Sequence, residues 1–146
     1  MAGRIVSINL SENKGTRKTP VGYAKVIKGI GIEGDAHASG AYKRQVSLLA
    51  IESIKKMTEK GVRVGPGDFA ENITTEGLDL PGLPVGTRLM MGGLVEVEVS
   101  QIGKTCHSRC AIYEQAGYCV MPEEGIFAAV LTGGSLNKGD EVKIIC

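Results

Sequence analysis

A cysteine flanked by cations is the feature of this sequence most capable of chemistry. In KTCHSRC, Cys106 lies between Lys104 and Arg109, and His107 follows it directly. The thiolate is the nucleophilic and metal-binding form of cysteine, and nearby cations or the N-terminus of a helix lower the pKa of a thiol. With a short helix expected over residues 109–116, the pattern predicts a functional thiol at Cys106. The alternative is a small buried apolar residue, as free cysteines often are.

The same segment offers a second chemistry, a structural zinc site. Cys106, His107, Cys110 and Cys119 are possible zinc ligands, and a helix would place the first and third on one face. However, the segment has no CxxC pair, and on a helix His107 would point away from Cys106. The pattern therefore favours a reactive thiol over a structural zinc site. The fourth cysteine, Cys146, is interpreted as incidental.

Two further segments combine tight turns with polar side chains. In GIEGDAH, Asp35 and His37 would project to the same side of an extended stretch, where either could fix a polar ligand and His37 could coordinate a metal. PGDFAENI contains Asp68, Glu71 and Asn72. The alternative for both segments is an ordinary turn with solvated side chains. The sequence has no P-loop, no dinucleotide fingerprint, no Ser-His-Asp arrangement and no HExxH motif.

Composition narrows the class of protein. Among 146 residues, 17 Lys and Arg face 16 Asp and Glu, and the net charge of +1 argues against a nucleic-acid or membrane-surface binder. With 42% hydrophobic and 23% charged residues, the chain is typical of a folded globular protein. It shows no signal peptide and no apolar run of membrane length, so we expect a cytoplasmic protein with reduced cysteines.

The elements that must position these residues are mostly strands. Twenty-one glycines, few aromatic residues and alternating Val and Ile favour short strands joined by tight turns. We predict one helix over residues 50–60, loops over 11–20 and 77–86, and about eight strands: 3–10, 21–32, 45–49, 71–75, 87–91, 94–101, 127–131 and 141–145. The prediction is a single domain over residues 1–146, mainly β with a few short helices, forming a closed or partly closed β-barrel.

Five segments in order resemble a known family. GIEGDAH, RQVSLLA, PGDFAENITTEGLDL, VSQIGKTC and GIFAAVLTGGSLNKGDEV are similar to segments of the MOSC domain, and the similarity runs from about residue 21 to residue 142. This domain forms the C-terminus of molybdenum cofactor sulfurases and also occurs as small standalone proteins. The resemblance implies a β-barrel fold, of the kind also found in the β-barrel domain of pyruvate kinase.

The resemblance also implies a function. Cys106 matches the key cysteine of the family and would carry a persulfide or bind molybdenum as a thiolate, with molybdopterin as the cofactor. The candidate residues lining the pocket around it are Asp35, His37, Asp68, Glu71 and Asn72. The candidate cations for the phosphate of the pyranopterin are Arg17, Lys43, Arg44, Lys104 and Arg109.

Three functions stay open at this point. The first is a sulfur carrier or molybdenum-cofactor-binding domain, whose partners are proteins that donate or accept sulfur or cofactor. The second is a molybdenum-dependent reductase of N-hydroxylated compounds, which would need a separate electron donor. The third is a zinc-stabilised binding module without catalysis. Pyridoxal phosphate is not expected, because the desulfurase domain that binds it in the sulfurases is separate and larger.

Overall fold

The structure, a computed structural model, describes residues 2–12, 17–36, 38, 40, 45–103 and 124–145. These residues form eleven strands, one α-helix and one 3-10 helix. The strands are β1 (Ala2–Leu10), β2 (Thr19–Val21), β3 (Tyr23–Ile27), β4 (Gly31–Ile32), β5 (Val46–Ala50), β6 (Ile73–Glu76), β7 (Arg88–Met91), β8 (Val95–Ile102), β9 (Ile126–Thr132), β10 (Gly134–Asn137) and β11 (Glu141–Ile144), and the helices are α1 (Ile51–Glu59) and η1 (Leu80–Gly82).

Seven strands close into a barrel. The strand order is β11-β7-β8-β9-β5-β6-β1, and β1 pairs back onto β11 to complete the ring. All neighbouring pairs in the ring are antiparallel except β5 and β6, which are parallel. A parallel pair needs a crossover connection between its strands, and α1 is the first element of this connection, directly after β5. The prediction of a mainly β, closed barrel is confirmed.

The inside of the barrel is filled by aliphatic side chains. Ile126, Leu48, Ile73 and Ile8 lie in register on four neighbouring strands, and each is 0% exposed. Residues alternate between the two faces of a strand, so the side chains that follow them point to the outer surface of the barrel. The outer surface of β1, β5 and β6 therefore carries Asn9, Leu49 and Thr74.

The helix α1 packs on this outer surface. Its apolar residues Ile54 and Met57 are buried against Leu49 of β5 and against Phe69 of the 65–72 loop. Gly61 follows the helix in the left-handed conformation, with φ of 87°, as is usual where a helix ends. The helix predicted over residues 50–60 is confirmed within one residue at each end.

Several predicted boundaries differ from the structure for local reasons. The single strand expected over residues 21–32 is three short strands, β2, β3 and β4, because the chain turns at residues 28–30. Part of β2 lies in the predicted 11–20 loop, and β10 lies between the strands predicted over residues 127–131 and 141–145. With β3 and β4, β10 forms a second, three-stranded sheet beside the barrel. The helix expected over residues 109–116 lies outside the described residues.

Candidate functional site

A buried polar cluster lies between the outer surface of the barrel and the 65–72 loop. All of its members are at most 7% exposed. They come from β1, β5, β6 and the end of the loop: Ser7, Asn9, Ser47, Glu71, Asn72 and Thr74. Buried polar side chains are costly unless they are hydrogen-bonded, so the bonds within this polar cluster determine whether it stabilises the fold.

Asn72 is the centre of the polar cluster. Its side-chain oxygen accepts hydrogen bonds from the backbone N–H of Ser47 at 3.0 Å and from the Ser47 hydroxyl at 3.2 Å. The Asn72 backbone N–H donates to the same hydroxyl at 3.0 Å, and its side-chain amide donates to the backbone carbonyl of Asn9 at 3.2 Å. Asn72 thus joins the loop to both β5 and β1, and its polar atoms are engaged within the protein.

Glu71 is a carboxylic acid enclosed by the same polar cluster. It is 0% exposed, and its two oxygens accept from the backbone N–H of Phe69 at 3.3 Å and from the Thr74 hydroxyl at 2.8 Å. Burial raises the pKa of Glu71 above its ordinary value, and hydrogen bonds from Gly67, Thr74 and Phe69 only partly offset this effect. The protonated, neutral form of Glu71 is therefore more favoured in the protein than it would be in water.

Asp35 forms a buried ion pair with Lys18. The Lys18 ammonium lies 2.7 Å from the Asp35 carboxylate, and the two side chains are 0% and 1% exposed. The backbone N–H of Ser11 also donates to this carboxylate, at 3.1 Å. Burial acts to raise the pKa of Asp35, but the hydrogen bond and charge of Lys18, with bonds from Ser11 and Asn72, outweigh it and lower the pKa. Asp35 is therefore a carboxylate whose charge is compensated inside the protein.

Asp68 lies nearer the surface. One of its carboxylate oxygens accepts the backbone N–H of Gly65 at 2.9 Å, which closes the turn at the start of the loop. The other lies 3.7 Å from the Arg17 guanidinium, and the side chains of Arg17 and Asp68 are 58% and 27% exposed. A pair this exposed contributes at most about 1 kcal/mol to folding. The exposed side chain of Arg17 is therefore accessible to a ligand in solution.

The structure brings three of the five described candidates together. Lys18 joins Asp35 to Gly67 of the loop that ends in Glu71 and Asn72, whereas Asp68 and Arg17 lie together at the surface. The other candidates fall outside the described residues: His37, Lys43, Arg44, Lys104, Cys106 and Arg109. The same holds for the alternative zinc ligands and the remaining cysteine: His107, Cys110, Cys119 and Cys146.

Sequence reasoning missed five residues of this site: Ser7, Asn9, Lys18, Ser47 and Thr74. Lys18 belongs to SENKGTRKTP, a stretch that is polar throughout, and nothing in that pattern distinguishes a buried lysine from an exposed one. Ser7 and Asn9 interrupt the apolar residues of the first strand, and Ser47 stands within an apolar run. The available signal was that a polar residue in an apolar strand needs a partner when both faces of the sheet are covered.

The described residues contain neither a metal-binding group of side chains nor a helix that could span a membrane. No group of three or more His, Cys, Asp or Glu side chains stands close enough to bind a metal ion within the described ranges. In that same part of the chain, the nine-residue helix α1 is too short to cross a membrane.

The sequence also matches a family profile. The profile of the MOSC domain aligns with residues 35–143, which include β5 to β10 and most of β11. The chain belongs to the MOSC-domain family. The family is associated with the molybdenum cofactor, and the resemblance seen in the five sequence segments is confirmed.

Solved structures support the MOSC fold independently. The YuaD protein from Bacillus subtilis superimposes with a TM-score of 0.81 at 18% identity, covering 97% of this chain and 94% of that one. YiiM from Geobacillus stearothermophilus gives 0.72 at 22% identity, covering 99% and 75%. YiiM from Escherichia coli gives 0.69 at 18% identity, covering 100% and 70%. No match was found among curated protein sequences.

Proposed function

We propose that this MOSC-domain protein binds the molybdenum cofactor, or carries sulfur for it, through the thiolate of Cys106. Family membership supports the general class of function. The choice of Cys106 rests on its surroundings in sequence, where Lys104, His107 and Arg109 favour the thiolate. Thiolates are soft ligands suited to metal–sulfur chemistry, and they are also the form of cysteine that accepts sulfur.

The observation that carries the proposal is the contact between segments that are distant in the chain. Ser47 of RQVSLLA bonds with Asn72 of PGDFAENI. Lys18, which pairs with Asp35 of GIEGDAH at 2.7 Å, donates its backbone N–H to Gly67 of PGDFAENI at 2.8 Å. Strand β9 pairs with β5 on one side and with β8 on the other, and β8 is the strand that precedes Cys106. The segments that carry the family match are therefore parts of one bonded structure beside the strand that leads to the thiol.

The buried members of this structure act as supports in the proposal. Glu71 and Asn72 have their polar atoms engaged within the polar cluster, and Asp35 is neutralised by Lys18. They hold the GIEGDAH and PGDFAENI segments at fixed positions relative to the barrel. We propose that direct contact with a ligand belongs to other candidates, with Cys106 binding the metal or sulfur and His37 lining the pocket.

The chemistry of the donors fits the cofactor. Cys106 supplies the soft ligand, and the phosphate of the pyranopterin would be held by the candidate cations Arg17, Lys43, Arg44, Lys104 and Arg109. Arg17 is described, and more than half of its side chain is exposed. When bound, the molybdenum cofactor supplies a metal centre able to exchange sulfur or oxygen and electrons. The chain would supply a thiolate and a set of cations to bind and orient it.

Sulfur transfer to Cys106 requires only a thiolate and a persulfide donor. The Cys106 thiolate attacks the terminal sulfur of a cysteine persulfide on a partner protein, and a new S–S bond forms on Cys106. The S–S bond of the donor breaks, and the donor cysteine leaves as a thiolate. One sulfur moves and one persulfide replaces another, so the step needs no external oxidant or reductant.

The experiment is an analysis of what the purified protein contains. Protein made anaerobically in cells that synthesise molybdenum cofactor is assayed for molybdenum, zinc, pterin and persulfide. Cys106→Ser is compared with Cys146→Ser, which also removes one thiol. We expect molybdenum with pterin, or a persulfide, in the wild type and in Cys146→Ser, and its loss in a folded Cys106→Ser protein.

The other outcomes would refute the proposal or extend it. Molybdenum and pterin in both variants would refute the role of Cys106. Stoichiometric zinc without molybdenum or persulfide, with unfolding after chelation, would refute the proposal in favour of a structural zinc module. Molybdenum that depends on Cys106, together with reduction of an N-hydroxylated compound by a supplied electron donor, would extend the proposal to a reductase.

A further inference from the structure

The 65–72 loop is wound around the carboxylate of Glu71. The backbone N–H groups of Gly67 and Phe69, which belong to the loop itself, both donate to this carboxylate, that of Phe69 at 3.3 Å. The Thr74 hydroxyl of β6 donates at 2.8 Å to the oxygen that Phe69 does not use. Because Glu71 is 0% exposed, the closed loop encloses an acid that water does not reach.

The backbone of the loop is held in its conformation by the contacts around it. Ala70 has φ of 63°, in the left-handed region that residues with a side chain rarely adopt. Gly67 packs so closely on the backbone carbonyl of Lys18 that a Cβ would collide with it, and its own carbonyl oxygen accepts the Lys18 backbone N–H at 2.8 Å. Strained backbone persists only where its surroundings stabilise it, so loss of these contacts favours an open loop.

The groups that face Glu71 from the neighbouring strands are neutral. On β1, the side-chain amide of Asn9 donates to the Glu71 backbone carbonyl at 3.1 Å, and on β6 the facing residue is Thr74. The charged side chains of the loop and of the 17–18 segment that packs on it pair elsewhere, Lys18 with Asp35 and Arg17 with Asp68. Within the described ranges, no ion pair therefore compensates the charge of an ionised Glu71.

We propose that the 65–72 loop is a proton-linked latch, which is closed most firmly when Glu71 is neutral and opens as Glu71 releases its proton to water. The proposal goes beyond the proposed function and depends neither on Cys106 nor on a cofactor. Opening moves the carboxylate from the protein interior to water, where its ionised form is more stable, so proton release accompanies opening. Because Asp68 belongs to the loop, opening would also separate it from Arg17.

The sign of the pH dependence follows from burial. Burial raises the pKa of Glu71, and the hydrogen bonds that the carboxylate accepts offset this effect only in part. The closed loop is therefore favoured most below the ordinary value of 4.5 and becomes less favoured as the pH rises towards the raised value. The Asp35–Lys18 pair has the opposite dependence, since its pKa is lowered and its stabilisation is lost in acid.

The test measures local opening by amide hydrogen exchange in the full chain, followed by NMR between about pH 4 and about pH 7. Protection factors of the Gly67, Phe69 and Ala70 amides, corrected for intrinsic exchange rates, are compared with those of amides in β8 and β9, which report global unfolding. We expect the loop amides to be less protected than the barrel amides and to lose protection by about threefold or more from the lower to the higher pH.

Glu71→Gln removes the proton and keeps the size of the side chain. Its amide oxygen can accept the same backbone N–H groups, and its amide nitrogen can donate to Thr74. We expect the protection of the loop amides in this variant to be independent of pH over the same range. Because Glu71→Gln could fail to fold, Thr74→Val provides a second variant. It removes a donor that favours the ionised acid, so the loss of protection should exceed that of the wild type.

Asp68→Asn and Glu76→Gln are the matched controls. The first removes the other carboxylate of the same loop, and the second removes an acid of the strand that carries Thr74, with a side chain 44% exposed. Neither change touches a donor to the Glu71 carboxylate. We expect both variants to show the same loss of loop protection with rising pH as the wild type.

Three results would overturn the proposal. Loop amides as strongly protected as the barrel amides would mean that the loop does not open by itself. Protection that rises with pH would mean that the hydrogen bonds to the carboxylate outweigh its burial. A loss of protection that persists in Glu71→Gln, or that disappears in Asp68→Asn, would mean that another group carries the proton. The assay of molybdenum and persulfide in Cys106→Ser tests the proposed function separately from all three.

Discussion

Removal of the Lys18 ammonium should destabilise the protein strongly at neutral pH. In Lys18→Met, an apolar side chain of similar length replaces the cation that lies 2.7 Å from the Asp35 carboxylate. Both side chains are at most 1% exposed, so water cannot compensate the carboxylate that remains. Breaking a buried pair by removing one partner typically costs about 3–5 kcal/mol. We expect a loss of this size in the free energy of unfolding.

The pH dependence of this loss follows from the pKa of Asp35. In the wild type that pKa is lowered, so the stabilisation from Asp35 is complete above its ordinary value of 3.8 and is lost as the pH falls through the lower folded value. Without Lys18, burial stays while two of the effects that lower the pKa of Asp35 are lost, so the pKa rises relative to the wild type and the ionised carboxylate is stabilised less in the folded protein. The difference between wild type and Lys18→Met should therefore be largest near neutral pH and should shrink in acid.

Urea unfolding of four proteins tests this reasoning. Wild type, Lys18→Met, the double variant Lys18→Met/Asp35→Leu and the control Arg4→Met are unfolded at about pH 7 and about pH 4. The control breaks a pair with a similar distance, 2.9 Å, but with side chains 63% and 44% exposed, so we expect a cost of at most about 1 kcal/mol. The double variant should recover part of the stability lost in Lys18→Met, because no unpaired charge stays buried.

Two results would refute the account of the ion pair. One is a loss of less than about 1 kcal/mol in Lys18→Met at about pH 7, equal to that of the exposed control. The other is an equal loss at both pH values, which would mean that the effect comes from packing rather than from an uncompensated carboxylate.

Two further pairs of variants test the barrel and the loop that covers it. Among the described residues, the Thr75 hydroxyl is the buried side-chain group without a hydrogen-bond partner. Thr75→Val should therefore leave the free energy of unfolding unchanged or raise it by about 1 kcal/mol. Thr74→Val breaks the bonds to Asn9 and Glu71 and should lower the free energy of unfolding by about 1–3 kcal/mol. Gly67→Ala should lower the urea midpoint more than Gly34→Ala. Both glycines have positive φ, 91° and 87°, but a Cβ on the first would collide with a backbone carbonyl and a Cβ on the second meets open space. Equal effects within either pair would contradict the assigned environments.

The fold class could be predicted because its signals are local. In the hairpin of β7 and β8, alternating residues such as Val95, Val97 and Val99 are buried beside intermediate Glu96 and Glu98, as the pattern predicts. The helix α1 likewise follows from the spacing of its apolar residues and the glycine after it. The short strands β4 and β10 could not be predicted, because two to four residues carry too little periodicity and their pairing partners are distant in sequence.

The candidate site was likewise only partly predictable from the sequence. Residue types and order in the chain were enough to select Asp35, Glu71 and Asn72, because their segments resemble those of a family. Their environments were not predictable. Glu71 and Asn72, whose alternative was a solvated turn, are almost fully buried, and the partner of Asp35 is a lysine from a stretch that looked like an ordinary polar loop.

What the sequence by itself determined is most of the longer elements, the mainly β barrel class and the family, because periodicity, turn residues and motif order act over short distances along the chain. Only the tertiary structure decided which polar side chains are buried and with whom they pair. Burial depends on what the closing barrel, α1 and the 65–72 loop place on either side of a strand. The charge state of Asp35 depends on Lys18, 17 residues away, and the setting of Glu71 depends on Asn9, 62 residues away. Both contacts join residues that only the tertiary structure brings together.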